Sequence, residues 1–185
     1  DYSLRYGDIV VCEDMSLDLC WDLGELFTVN GRITDTQGVP LSGVELSFYA
    51  PDFPFEVTVT TNETGDYSAQ LYPGKYRVSG YKDGYDSLFY NQTIEEAQTL
   101  NFEMEELFEI QGIVTINGVP MGDVEVIASN ERYLDYSYTD SSGNYALSLP
   151  AGTYGFKVWV NDVYYSLANP VVVTKNATVD IDINN

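Results

Sequence analysis

The chain has 185 residues, 44 % of them hydrophobic and 14 % aromatic, which excludes a disordered tail for most of its length. Its 29 acidic against 8 basic residues give a formal charge of −21, a balance that repels nucleic-acid phosphates and anionic membranes. Histidine is absent, which removes the usual general base, the commonest metal ligand and the Ser-His-Asp or Cys-His arrangements together.

The first 26 residues, DYSLRYGDIVVCEDMSLDLCWDLGEL, stand apart from the rest of the chain. Ile9, Val10 and Val11 form a short apolar run, and Leu17, Leu19, Trp21 and Leu23 alternate with polar residues, the pattern of a strand with one buried face. Two packings are open to this extension: an intramolecular strand or cap, or a strand added to a neighbouring subunit, joining copies head to tail into a filament. Cys12 and Cys20 are the only cysteines, too far apart for a C-x-x-C redox or zinc motif. They read either as a disulfide closing a small loop in an oxidising compartment or as two unpaired thiols. A start at Asp1 without methionine reads as a processed secreted protein or a shortened chain. No stretch approaches the roughly twenty apolar residues of a bilayer span, so no membrane insertion is expected.

From residue 27 the apolar period is two. Val44, Leu46 and Phe48 alternate with Glu45, Ser47 and Tyr49, and Tyr76 and Val78 with Lys75 and Arg77. Leu100, Phe102 and Met104 close the pattern. Between these strands, TNETGDY at 61–67 reads as a turn: Gly65 supplies the positive φ and the Asn62 side chain bonds the turn's backbone. A carboxylate in such a turn can ligate calcium. The phrase lacks the ligand count of a dedicated site, and a structural corner is the reading adopted.

The same phrases then return. Gly112 follows Gly31 by 81 positions, GVPMGDVEV follows GVPLSGVEL by 80, TDSSGNY follows TNETGDY by 78 and TVDIDI follows TLNFEM by 79. Val124, Val126 and Ala128 repeat the first inward set, Tyr154, Phe156, Val158 and Val160 the second, and Val179, Ile181 and Ile183 the last. Two homologous modules are therefore expected, 27–105 and 107–185. Each is an antiparallel β-sandwich of about seven strands with one dry and one wet face, preceded by the 1–26 extension; the fold class is all-β.

The order GRITDTQGVPLSGVELSFY, TNETGDYSAQLYPGKYRVSGYKDGY and a closing strand resembles the carboxypeptidase regulatory-like (prealbumin-like) domain, and the outline is similar to collagen-binding B-type surface repeats. The second copy fits equally well. The resemblance implies an Ig-like sandwich acting as a non-catalytic spacer, stalk, adhesin segment or accessory domain outside the cell. It does not extend to the Lys–Asn isopeptide clamp of many B-type repeats: Lys75, Lys82, Lys157 and Lys175 are the only lysines, and none stands on a first strand.

Asn62, Asn91 and Asn176 head N-x-S/T sequons at expected loops or strand ends, and are expected to carry glycan where the source organism glycosylates secreted proteins. No catalytic residue, metal site or cofactor is assigned, because no carboxylate pair is singled out by a repeated motif. The function expected is a structural or adhesive surface protein at the cell exterior, a stalk or pilus-like filament subunit that self-associates through residues 1–26. The alternative is a glycan- or ligand-binding accessory module, supported by the outward aromatic set Tyr81, Trp159, Tyr164 and Tyr165.

Overall fold

The computed structural model describes residues 25–52 and 55–184, and every regular element among them is a strand. In order these are β1 (Phe27–Asp35), β2 (Glu45–Ala50), β3 (Phe55–Thr60), β4 (Asp66–Leu71), β5 (Gly74–Tyr81), β6 (Leu88–Ile94), β7 (Gln98–Thr99) and β8 (Phe102–Met104). The series continues with β9 (Leu107–Ile116), β10 (Val119–Pro120), β11 (Glu125–Ser129), β12 (Leu134–Tyr138), β13 (Asn144–Pro150) and β14 (Gly152–Val160). It closes with β15 (Val163–Ser166), β16 (Val171–Val173), β17 (Ala177–Thr178) and β18 (Ile181–Ile183). Cys12, Cys20 and the alternating residues of the extension lie outside the described residues.

Four sheets form. The order β3-β2-β5-β6 faces β4-β1 with β7 and β8 on the other edge of β1, and β12-β11-β14-β15 with β16 faces β13-β9 with β17 and β18 likewise. Period-two burial produces them, as in β14, where Tyr154, Phe156, Val158 and Val160 are buried and the residues between them look outward. Inward residues collect into two cores, one around Val29, Phe48, Tyr67 and Tyr76 and the other around Ile110, Val126, Tyr145 and Tyr154. Leu100 and Val179, expected on the inward face, are only partly buried.

The sheets depart from the expected antiparallel pattern at one place in each half. The closing strand runs parallel to the first, with Ile33 beside Phe102 and Asp35 beside Met104, and again Val114 beside Ile181 and Ile116 beside Ile183. The cause is connectivity: β6 ends in the other sheet, and the chain crosses back to the free edge of β1 already pointing along it. Alternation of apolar residues reports which face is buried, not strand direction.

The closing strand is broken in two by a fixed device. Leu100 N–H donates to Asn30 O at 2.8 Å, the Tyr67 hydroxyl donates to Leu100 O at 2.7 Å, and the Asn101 side chain accepts from Arg32 N–H at 2.9 Å. In the second half, Val179 N–H donates to Gln111 O at 2.8 Å, the Tyr145 hydroxyl to Val179 O at 2.6 Å, and Asp180 accepts from Ile113 N–H at 3.1 Å. Gly31 and Gly112 sit beneath, cross-strand from Tyr67 and Tyr145. A Cβ at either would run into the carbonyl oxygen of Leu100 or Val179.

Candidate functional site

The repeated corner is a structural turn in which the Asn62 and Asp140 side chains bond the turn's own backbone. Asn62 Oδ1 accepts from the backbone N–H groups of Thr64 and Asp66 at 2.9 Å, and Asp140 Oδ1 from those of Ser142 and Asn144 at 2.8 and 2.9 Å. Gly65 and Gly143 take φ of 74° and 81°, a conformation few side chains adopt. The buried Thr61 hydroxyl accepts from Val44 N–H and donates to Leu41 O; Thr139 does the same with Val124 and Met121. The Asp140 carboxyl lies below its ordinary range because the Asn144 side-chain amide, and then the turn's backbone N–H groups, stabilise its charge. These oxygens are occupied by the protein's own donors. Among the described residues no group of three or more Asp, Glu, Cys or His side chains converges.

The feature that joins the two halves is the short passage from β8 into β9. Only Glu105 and Glu106 separate the strands, and both are held by the loop between β5 and β6. Asp86 N–H donates to Glu105 O and Leu107 N–H to Gly84 O, each at 2.8 Å, with Tyr85 and Glu106 forming an isolated bridge between them. From the second half, the Arg132 guanidinium donates to Glu105 Oε1 at 2.7 Å. A cleft of about 530 Å³ lies beside this joint, lined by Asp86, Phe89 and Tyr90 on one side and by Arg132, Tyr133 and Tyr154 on the other. Burial first, and then the charges of Asp86 and its acidic neighbours, push the Tyr133 phenol up.

The sequence-selected aromatics do not form one set. Tyr81 is exposed on β5, whereas Trp159 on β14 is half-buried with its ring 4.2 Å from that of Tyr164. Tyr165 is not outward: it pairs with Val158 and packs on the second core. Tyr136 and Tyr138 fall outside that set, although they share the face with Trp159 and are exposed by 56 % and 62 %. Their signal is present in the sequence as period-two aromatics in LDYSYT, residues 134–139. Asn62 and Asn176 stand exposed in turns, as expected for their sequons, whereas Asn91 is exposed in the middle of β6, opposite Arg77. A strand edge residue with its side chain in water accounts for that placement.

Residues 28–105 match the family model of the carboxypeptidase regulatory-like domain, a stretch that begins on β1 and ends just after β8. None of the curated proteins matches the chain. Among solved structures, the Bacillus anthracis TIE protein is similar with 19 % identity and a TM-score of 0.41, over 87 % of this chain and 34 % of that one. The chain thus spans about a third of that structure's length. The shaft pilin SpaA from Lactobacillus rhamnosus GG is similar with 14 % identity and a TM-score of 0.37, over 86 % of this chain and 97 % of the pilin. 3-Chlorocatechol 1,2-dioxygenase from Rhodococcus opacus 1CP is similar with 14 % identity and a TM-score of 0.40, over 45 % of this chain and 60 % of the enzyme.

Proposed function

We propose that the chain is a non-catalytic segment of an extracellular surface protein, a stalk or filament subunit built from two tandem sandwich domains, 27–105 and 107–185, that carry tension along their length. The observation behind this reading is the parallel pairing of β1 with β8 and of β9 with β18. Because the first and last strands of each half run side by side in the same direction, the chain enters at one pole and leaves at the other. Tandem copies therefore extend as a rod. A pull on the two ends loads the β1–β8 hydrogen bonds together in shear instead of opening them one at a time. The short joint held by Gly84, Asp86, Glu105 and Leu107 supports the same reading, since it leaves little chain to swing. None of the four lysines is buried, so strength in this molecule rests on hydrogen bonds rather than on a lysine cross-link.

In the finer form of the proposal, residues 1–26 join one subunit to the next, Cys12 and Cys20 close that segment, and Asn62, Asn91 and Asn176 are glycosylated on export. The test compares the full chain with a version lacking residues 1–26 by electron microscopy and light scattering, alongside single-molecule pulling of the full chain. Fibres from the full chain alone, with two unfolding events of high force, are expected. A full chain that stays monomeric ends the head-to-tail form. Low-force, stepwise opening ends the tension-bearing role itself.

A further inference from the structure

The two halves share one scaffold but dress its outer face differently, and the difference is concentrated on sheet β12-β11-β14-β15. Cross-strand pairing places Tyr138, Glu125, Trp159 and Tyr164 in one row across the four strands, and Tyr136, Ile127, Lys157 and Ser166 in the next row on the same face. At the corresponding places the first half has Thr60, Glu45 and Tyr81, then Thr58, Ser47, Ser79 and Phe89. The same pairing therefore forms with threonine where the second half exposes Tyr136 and Tyr138, while Tyr81 stands at the place of Trp159 and Phe89 at that of Ser166. Threonine suits a strand as well as tyrosine does, so folding does not require the rings. Tyr136, Tyr138 and Tyr164 leave 54–62 % of their surface in water.

The rings are organised. Trp159 and Tyr164 lie 4.2 Å apart at 52°, and Tyr136 and Tyr138 meet edge to face at 6.2 Å. Glu125 separates Tyr138 from Trp159 across two strand spacings, a span of about 10 Å and the scale of a disaccharide. Its carboxylate accepts only a long 3.3 Å bond from the Tyr138 hydroxyl, which a better donor displaces. The charge of the strip is the second guide. In a chain of net −21, these two rows carry one carboxylate, Glu125, and one ammonium, Lys157, which cancel. A flat, aromatic, locally neutral strip inside an acidic surface fits an uncharged, hydroxyl-rich chain and repels an anionic one.

We propose that this face binds a neutral extended polysaccharide, with sugar rings stacked on Tyr138, Trp159 and Tyr164 while Glu125 accepts and Lys157 donates hydrogen bonds to sugar hydroxyls. Sugar binding at this face does not depend on the tension-bearing role and survives its failure.

Titration calorimetry and tryptophan fluorescence of the full chain against cellohexaose, xylohexaose and maltohexaose, with heparin as the anionic comparison, test it. At least one neutral oligosaccharide is expected to bind and to shift the tryptophan emission, with no response to heparin. Trp159→Ala is expected to abolish binding. The Tyr136→Thr/Tyr138→Thr double variant, which carries the first half's own residues and so keeps the fold, is expected to weaken binding by about tenfold. Absence of binding at millimolar concentration, or binding that the double variant leaves unchanged, overturns the proposal. So does a concentration-dependent dimer that the double variant dissolves while no sugar binds, which identifies the occupant as a second copy of this chain.

Discussion

Gly31 and Tyr67 work as one device, as do Gly112 and Tyr145: the glycine leaves room for the carbonyl that the tyrosine hydroxyl then holds. Gly31→Ala and Gly112→Ala place a methyl group against the Leu100 or Val179 carbonyl and under the tyrosine ring. Each is expected to cost about 3 kcal/mol, the upper range of overpacking. Gly155→Ala is the control, because its Cβ comes no nearer than 3.8 Å to Ser129 O and it should be tolerated. Urea unfolding checks both. Tyr67→Phe and Tyr145→Phe leave a carbonyl short of its donor and are expected to cost about 1 kcal/mol each. Burial raises both phenols above their ordinary 10.0, with Asp180 adding to the effect at Tyr145. A raised phenol contributes stability that is complete below about pH 10 and is lost as pH climbs towards the folded value. The double Phe variant is therefore less stable at neutral pH, yet its unfolding free energy falls less steeply above pH 10 than that of the parent chain.

At the scale of the element, the corner is the most legible part of the sequence. Thr61, Asn62, Gly65 and Tyr67 recur as Thr139, Asp140, Gly143 and Tyr145 because each has a separate local task, and local tasks leave marks at fixed spacing. The direction of β8 and β18 leaves no such mark, since parallel and antiparallel neighbours bury the same alternating face. Tyr165 and Trp159 look alike in the sequence as outward aromatics, although they stand on neighbouring strands facing opposite ways; only the β14–β15 register, Val158 beside Tyr165, separates them. The corner also offers a comparison within one molecule, because Asn62 and Asp140 accept equivalent backbone bonds. Asp140→Asn is therefore expected to leave the melting temperature at neutral pH nearly unchanged, whereas Asp140→Ala lowers it. Since the folded Asp140 carboxyl is depressed, its contribution is present above the unfolded carboxylate range and lost as pH falls through the folded value. Asp140→Asn should remove that part of the acid sensitivity, which calorimetry between neutral and strongly acidic pH detects.

For the whole molecule the decisive question is whether the two halves move as one. Two hydrogen bonds hold the backbone at the passage, from Asp86 to Glu105 and from Leu107 to Gly84, and one ion pair reaches across from Arg132. The ion pair is the weaker restraint, because the Arg132 side chain is 82 % exposed and solvent screens it. Arg132→Ala alone is expected to change neither the melting temperature nor the dimensions in solution. Inserting Gly-Gly between Glu105 and Glu106 is different: it throws Leu107 out of register with Gly84 while leaving both cores intact. Small-angle scattering of the inserted chain should then show a broadened distribution of lengths, with unchanged unfolding of each half in urea. If the parent chain already scatters as a broad ensemble, the passage is a hinge. Tension would then straighten the joint before it reached the parallel strands that are proposed to bear it.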